Sequence, residues 1–218
     1  MARSRAKTLL TLAAAGLMLA ACADQATAPV ASSPGTQERT SRFAPTDAQL
    51  DLVGVSDGVY TFTFDPSKDQ SFDLGPNHLD IPRNAVCDLE TSSYGVKYWD
   101  DRCSPERGTV TITATISQAK SDHPRIDFQP AMRFNPRSEV VLYLYAKKAS
   151  KKDADMLVMK YCSGDHGKCV DESLTDRDLV TSVDKRHNVV FRRIKHFSGY
   201  VVAERGGSSD EGFGLAGY

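Results

Sequence analysis

The ten residues Gly108–Ser117, GTVTITATIS, decide the fold class. Val110, Ile112, Ala114 and Ile116 alternate with Thr109, Thr111, Thr113 and Thr115. Successive side chains of a strand point to opposite faces, so this stretch has one apolar and one hydroxylated face. It reads as a half-buried strand. Working outward, further runs of this kind are expected at Val59–Phe64, His78–Ile81, Arg125–Phe128, Val140–Tyr145, Met156–Tyr161, Leu179–Val183, Asn188–Ile194 and Gly199–Glu204. Turn chemistry separates them: Asp-Pro-Ser at 65–67, Gly-Pro-Asn at 75–77, Asn-Pro-Arg at 135–137 and Ser-Gly-Asp at 163–165. No segment keeps an apolar stripe of helical period for three turns; Ala146–Asp155 (AKKASKKDAD) comes nearest and has no such stripe. Many short strands with regular turns predict an all-β protein, an antiparallel β-sandwich.

The chain has 218 residues, 27 Lys+Arg against 28 Asp+Glu, and a formal net charge of −1. That balance argues against nucleic-acid binding through bulk positive charge. The apolar share of 40% and the charged share of 25% are those of a globular chain, not of a disordered one.

The first residues, MARSRAKTLLTLAAAGLMLAACAD, place the body in a compartment. Arg3, Arg5 and Lys7 form a basic start, and Thr8–Ala20 forms an apolar core of secretory length. Leu19-Ala20-Ala21-Cys22 follows at once and resembles a bacterial lipobox. The resemblance implies a signal peptide over 1–21 and a lipidated Cys22 at the mature N-terminus. It also implies an exported, membrane-anchored lipoprotein facing the periplasm or the cell exterior. Several acyl chains on one residue hold stably where a single chain would not. Removing Arg3, Arg5 and Lys7 takes the net charge from −1 to −4.

Five cysteines stand at 22, 87, 103, 162 and 169. With Cys22 acylated, four remain for an oxidising compartment to pair. Four cysteines allow three connectivities, and the sequence-local one is Cys87–Cys103 with Cys162–Cys169. Residues 22–50 are rich in Ala, Thr, Ser and Pro, and read as a disordered tether; 206–218 read as a disordered Gly-rich tail. The body is then 51–205.

Three fragments occur in order: HLDIP (78–82) running into Ala85 and Val86; PRIDFQPAMRFNPRSEVVLYLY (124–145), a strand, a Pro-bearing turn and an apolar strand; and KHFSGYVV (195–202). Together they resemble the ZU5-like domain, a β-sandwich of ankyrins, tight-junction scaffolds, netrin receptors and many bacterial envelope proteins. The resemblance covers roughly 75–204. It implies a non-catalytic interaction or scaffolding domain whose partner is an envelope protein or a glycan. The two cysteine pairs and the insert at Tyr94–Arg102 depart from the eukaryotic pattern.

In some ZU5-like domains His-Phe-Ser is a self-cleavage site, which makes His196, Phe197 and Ser198 the candidate catalytic residues. Residues two apart on a strand share a side, so His196 would serve as general base for Ser198. The Ser198 Oγ would attack the Phe197 carbonyl, the acyl group would shift from N to O as the peptide C–N bond breaks and the Ser198 nitrogen takes the proton, and water would open the ester. The same tripeptide also reads as a plain strand corner, with Phe197 buried, Ser198 bonded to backbone and Gly199 permitting a bend.

Tyr94, Tyr98 and Trp99, inside the Cys87–Cys103 loop, are candidates for sugar stacking or for covering the end of the sandwich. Cys162, Asp165, His166 and Cys169 offer four metal-ligand types, but in an exported protein a disulfide across the turn is the expected reading. Asp65, Asp69 and Asp73 are spaced every fourth residue, unlike a calcium loop. No metal or other cofactor is therefore expected. Lys147, Lys148, Lys151 and Lys152, and separately Lys185, Arg186, Arg192, Arg193 and Lys195, are candidate surfaces for anionic headgroups or solvated faces. No nucleophile elbow, phosphate loop, dinucleotide fingerprint or zincin helix is present, so a conventional enzyme is not expected.

Overall fold

The structure, a computed structural model, describes residues 43–45, 55–163 and 168–206. The signal peptide, Cys22, most of the tether, residues 207–218, Asp165 and His166 lie outside them. Eleven strands are present among the described residues, with short 3₁₀ turns and no α-helix. They are β1 (Gly58–Phe64), β2 (Gln70–Leu74), β3 (Asn77–Ile81), β4 (Val110–Ser117), β5 (Arg125–Arg133), β6 (Val141–Tyr145), β7 (Leu157–Cys162), β8 (Cys169–Val170), β9 (Ser182–Asp184), β10 (Val189–Arg193) and β11 (His196–Glu204). Two antiparallel sheets form, ordered β1-β4-β5-β11-β7-β8 and β2-β3-β6-β10-β9.

The alternation in β4 is realised as expected. Val110, Ile112, Ala114 and Ile116 are buried. On the opposite face Thr111 and Thr113 pair with Thr63 and Thr61 of β1, hydroxyl to hydroxyl at 2.9 and 3.2 Å. The core lies between the sheets. Phe62 of β1 stacks on Phe72 of β2 at 4.3 Å, and Phe128, Phe134 and Phe197 form a second aromatic knot. Burying such rings is worth about 1.5–3 kcal/mol each.

Both sequence-local disulfides are formed, Cys87–Cys103 and Cys162–Cys169. The first ties down the long connection from β3 to β4, and the second closes the β7–β8 hairpin.

Four details differ from the sequence expectation. The stretch around Asp65–Asp73 is not only a turn: Gln70–Leu74 pairs with β3 around Gly75, whose φ of 64° suits the tight turn. β5 does not end at Pro130 but runs through it, across a cis Gln129–Pro130 bond at a register shift. Proline is tolerated there because a bulge leaves its position without a ladder hydrogen bond to donate. Leu179–Val183 is not one strand. Asp176 caps a 3₁₀ turn over Arg177–Leu179 by accepting from the Asp178 N–H at 2.9 Å, and β9 begins only at Ser182. Finally, β11 begins at His196, three residues before the expected start, so His196–Ser198 lies within a strand and is not its corner.

Candidate functional site

The site grows from the first residues of β11. Phe197 pairs with Met132 of β5 but Gly199 pairs with Asp127, so β5 carries extra residues opposite Ser198. This bulge opens a pocket of about 300 Å³ lined by Tyr94, Gln129, Ala131, Tyr161 and Ser198. Gly199 has no room for a side chain: a Cβ would stand 2.5 Å from Asp127 Oδ1 and 3.1 Å from the Cys162 carbonyl. Close packing, not a bend, is what glycine supplies here.

His196 is fully buried. Its Nε2 lies 3.2 Å from Glu172 Oε1, and its Nδ1 lies 3.2 Å from Tyr200 Oη. A carboxylate only accepts, so Nε2 carries the proton, and Nδ1 shares the Tyr200 hydroxyl with the His196 carbonyl. Burial, opposed by Glu172, depresses the imidazole and keeps it neutral. Burial raises Glu172, but the hydrogen bond from His196 and the charge of Arg192 outweigh it, and the carboxyl ends below its ordinary range. Arg192 donates from Nη2 to Glu172 and lies over the Tyr200 ring at 5.4 Å. Its side chain is wholly buried, and its Nε and Nη1 have no acceptor among the described residues.

Trp99 covers this network. Its ring stacks on His196 at 3.9 Å and meets Tyr161 edge-on at 5.0 Å. Only 6% of Trp99 is exposed, so its ring is packed inside the protein and is not displayed as a sugar-stacking face. Tyr98 is half-buried and carries Lys97 over its ring. Tyr94 is 39% exposed, and its hydroxyl donates to the Phe197 carbonyl at 3.0 Å. Burial pushes the Tyr94 phenol up to about 12, so it remains a donor. Ser198 donates to the Cys162 carbonyl at 3.4 Å. The structure therefore brings Tyr94, Phe197 and Ser198 together, while both His196 nitrogens point to Glu172 and Tyr200.

Beside Trp99 lies an open groove of about 990 Å³. Trp99, Tyr161, Leu179 and Glu172 line it, and Val96, Val170 and Leu174 stand along it 71%, 49% and 81% exposed. Lys195 bridges Asp100 and Asp176 at its edge, Asp171 accepts from the neutral Ser173 hydroxyl, and exposed Arg205 also lines it. Three loops converge on it, namely the Cys87–Cys103 loop, the β7–β8 hairpin and the turn at Glu172–Leu174.

The other candidates separate. Cys162 and Cys169 are oxidised to each other. Asp65, Asp69 and Asp73 turn to Ser67, Arg83 and His78 respectively. The basic run at 185–195 is not one surface, since Arg192 is interior and Lys195 is bridged. Lys148 pairs with Glu204 and Asp153, and Lys185 with Asp155.

Glu172 and the groove-lining Leu174 went unread in the sequence. Arg192 did carry a signal: it alternates with Val190 and Ile194, which puts it on the apolar face of its strand. No helix among the described residues is long and apolar enough to cross a membrane. No family model, curated protein or solved structure matches the chain.

Proposed function

We propose that this is a lipid-anchored envelope protein whose ZU5-like β-sandwich holds a protein partner at the groove beside Trp99. The observation that carries this reading is the juxtaposition of exposed Val96, Val170 and Leu174 along one concave surface. Contiguous exposed apolar surface around a concavity marks an interaction site. The exposed aliphatic side chains along the groove make apolar contact its main means of recognition, with Asp171 and Arg205 beside them for polar contacts, which suits a protein segment with aliphatic or aromatic side chains. The buried Glu172–Arg192–His196 network and two disulfides hold the walls rigid, which lowers the ordering cost of binding. The Cys22 anchor would display the body at the membrane surface.

The test is site-specific photocrosslinking in native membranes. A photoreactive residue at position 174 should yield a discrete adduct that position 59, also strongly exposed on β1, does not. Val96→Asp should abolish it. Equal adducts from both positions, or none at 174, overturn the reading. Mass spectrometry of membrane-extracted, unreduced protein tests the anchor through the acyl mass on Cys22.

A second reading, self-cleavage between Phe197 and Ser198, is favoured by the Tyr94 hydrogen bond to the Phe197 carbonyl. A neutral phenol aimed at that oxygen is the donor an oxyanion would need. The residue-two-apart role for His196 as base does not match its hydrogen bonds to Glu172 and Tyr200. Intact mass decides it: a fragment beginning at Ser198, lost in Ser198→Ala, supports cleavage, and a single uncut mass removes it.

A further inference from the structure

The outer face of the β2-β3-β6-β10-β9 sheet carries a row of rings. His78 of β3 is registered with Tyr143 of β6, and Tyr143 with Phe191 of β10. Their strand neighbours Leu79, Leu142, Leu144 and Val190 point into the core, so these three side chains point outward. An outward Tyr in a sheet without a covering layer should be largely exposed, yet Tyr143 is 2% exposed. Phe43, fifteen residues before β1, packs there. Its ring lies flat on His78 at 4.4 Å and 9°, and tilts against Tyr143 at 6.0 Å.

The receptor is built for this. His78 is gripped from both sides, Nδ1 to Asp73 at 2.6 Å and Nε2 to Asp80 at 3.0 Å, which fixes the plane of the ring that Phe43 stacks on. An open groove of about 630 Å³ continues along the same face past Tyr143 and Phe191, and Asp69, Asp80 and Glu139 contribute carboxylates to it.

We infer that this face is an intramolecular docking site and that its occupant is the tether segment centred on Phe43, which acts as a latch. Docked, it moves the body's first attachment point after Cys22 from residue 58 to residue 43, a sequence separation of 21 in place of 36. For a flexible linker that is a fall in mean reach from about 33 Å to about 25 Å. The consequence for height above a membrane rests on the anchoring reading; the docking itself does not. Release by a competing aromatic segment would let the body stand farther from its anchor.

Trypsin reads the latch in the full mature chain, with or without lipid. Proteolysis of a docked segment follows the population of its open form. The Arg42–Phe43 bond should be cut about tenfold more slowly than in a free peptide spanning 36–48, the effect of a contact worth about 1.4 kcal/mol. His78→Ala leaves the scissile sequence intact and should restore the peptide rate. Phe43→Ala should do so without disturbing the receptor. Cleavage as fast in the intact chain as in the peptide overturns the inference, as does protection that persists in both variants. Because lipid is not needed, failure here is distinguishable from failure of the anchor.

Discussion

Substituting Glu172 by Gln should be among the most damaging single changes in this protein. Gln keeps the volume and a hydrogen-bond acceptor but removes the charge opposite Arg192. That guanidinium is wholly buried, and two of its nitrogens already lack acceptors. Removing one partner of a buried pair strands the other charge, at about 3–5 kcal/mol. For a body of this size the melting temperature should fall by about 6–20 °C. Arg192→Met in the same chain puts an apolar side chain between Val190 and Ile194 and removes the stranded charge. The double variant should therefore be more stable than Glu172→Gln alone, with a coupling of at least about 2 kcal/mol. Urea unfolding at neutral pH, followed by circular dichroism, measures all four corners of the cycle. A loss below about 1 kcal/mol for the single change, or additivity within about 0.5 kcal/mol, would refute the assigned network. The acid limb adds a check. His196 and Glu172 both have folded values below their ordinary 6.5 and 4.5. Their contributions are complete above those values and are lost as pH falls, first below 6.5 through His196 and then below 4.5 through Glu172. The double variant should lack the Glu172 component.

Replacing Cys87 and Cys103 by Ser should cost about 3 kcal/mol and replacing Cys162 and Cys169 about 2, from separations of 16 and 7 residues. Thermal unfolding ranks them, and only the second pair should also detach the Val170 wall of the groove and reduce crosslinking at 174. At His78, burial lowers the imidazole, but hydrogen bonds to Asp80 and Asp73 raise it further, to a net value above 6.5. Its stabilising contribution is complete below pH 6.5 and is lost as pH rises through the folded value. Wild type should therefore lose more stability than His78→Gln across that interval in pH-dependent urea unfolding, and equal losses would contradict the double grip. Gly199→Ala should destabilise by about 1–3 kcal/mol, because the new methyl meets the Asp127 carboxylate and the Cys162 carbonyl. A neutral result would show that β5 and β7 can move apart there.

Much of the fold was legible because burial imposes a period of two on any strand with one wet face. Thr111 and Thr113 of β4 show it most plainly. β2 escaped because only Phe72 and Leu74 point inward, interleaved with Ser71 and Asp73, and two apolar residues are too few to set a period. β9 was expected three residues too early, at Leu179, because side-chain capping by Asp176 competes with strand pairing, and only tertiary contacts settle that competition. Trp99 reads either as a sugar-stacking edge or as a cover for the sandwich end, and nothing local decides, since its stack on His196 joins residues far apart in the chain. The Glu172–Arg192–His196 network is still less visible: a carboxylate in a turn, an arginine in a strand and a histidine in the next strand share no spacing rule. Phe43 looked like one apolar residue in a polar tether, because its partner row of rings exists only after β3, β6 and β10 are side by side.

The groove and the buried network are physically one object. Glu172 takes part in both: it lines the concave surface and accepts from Arg192 and His196 behind it. Trp99 does the same, since it lines the groove and stacks its face on His196. A partner that presses on Val96 or Leu174 thus bears on loops whose position the network sets. Binding to the folded form alone stabilises it in proportion to the logarithm of ligand excess. Weakening the network must then weaken partner binding even though neither Arg192 nor His196 touches the groove surface. Arg192→Met should lower adduct yield at position 174 while leaving the Phe43 latch unchanged, because Arg192 points inward from β10, away from the outer face that carries Phe191. Loss of both together would mean that the variant has unfolded, and loss of neither would mean that the groove walls stand without the charges beneath them.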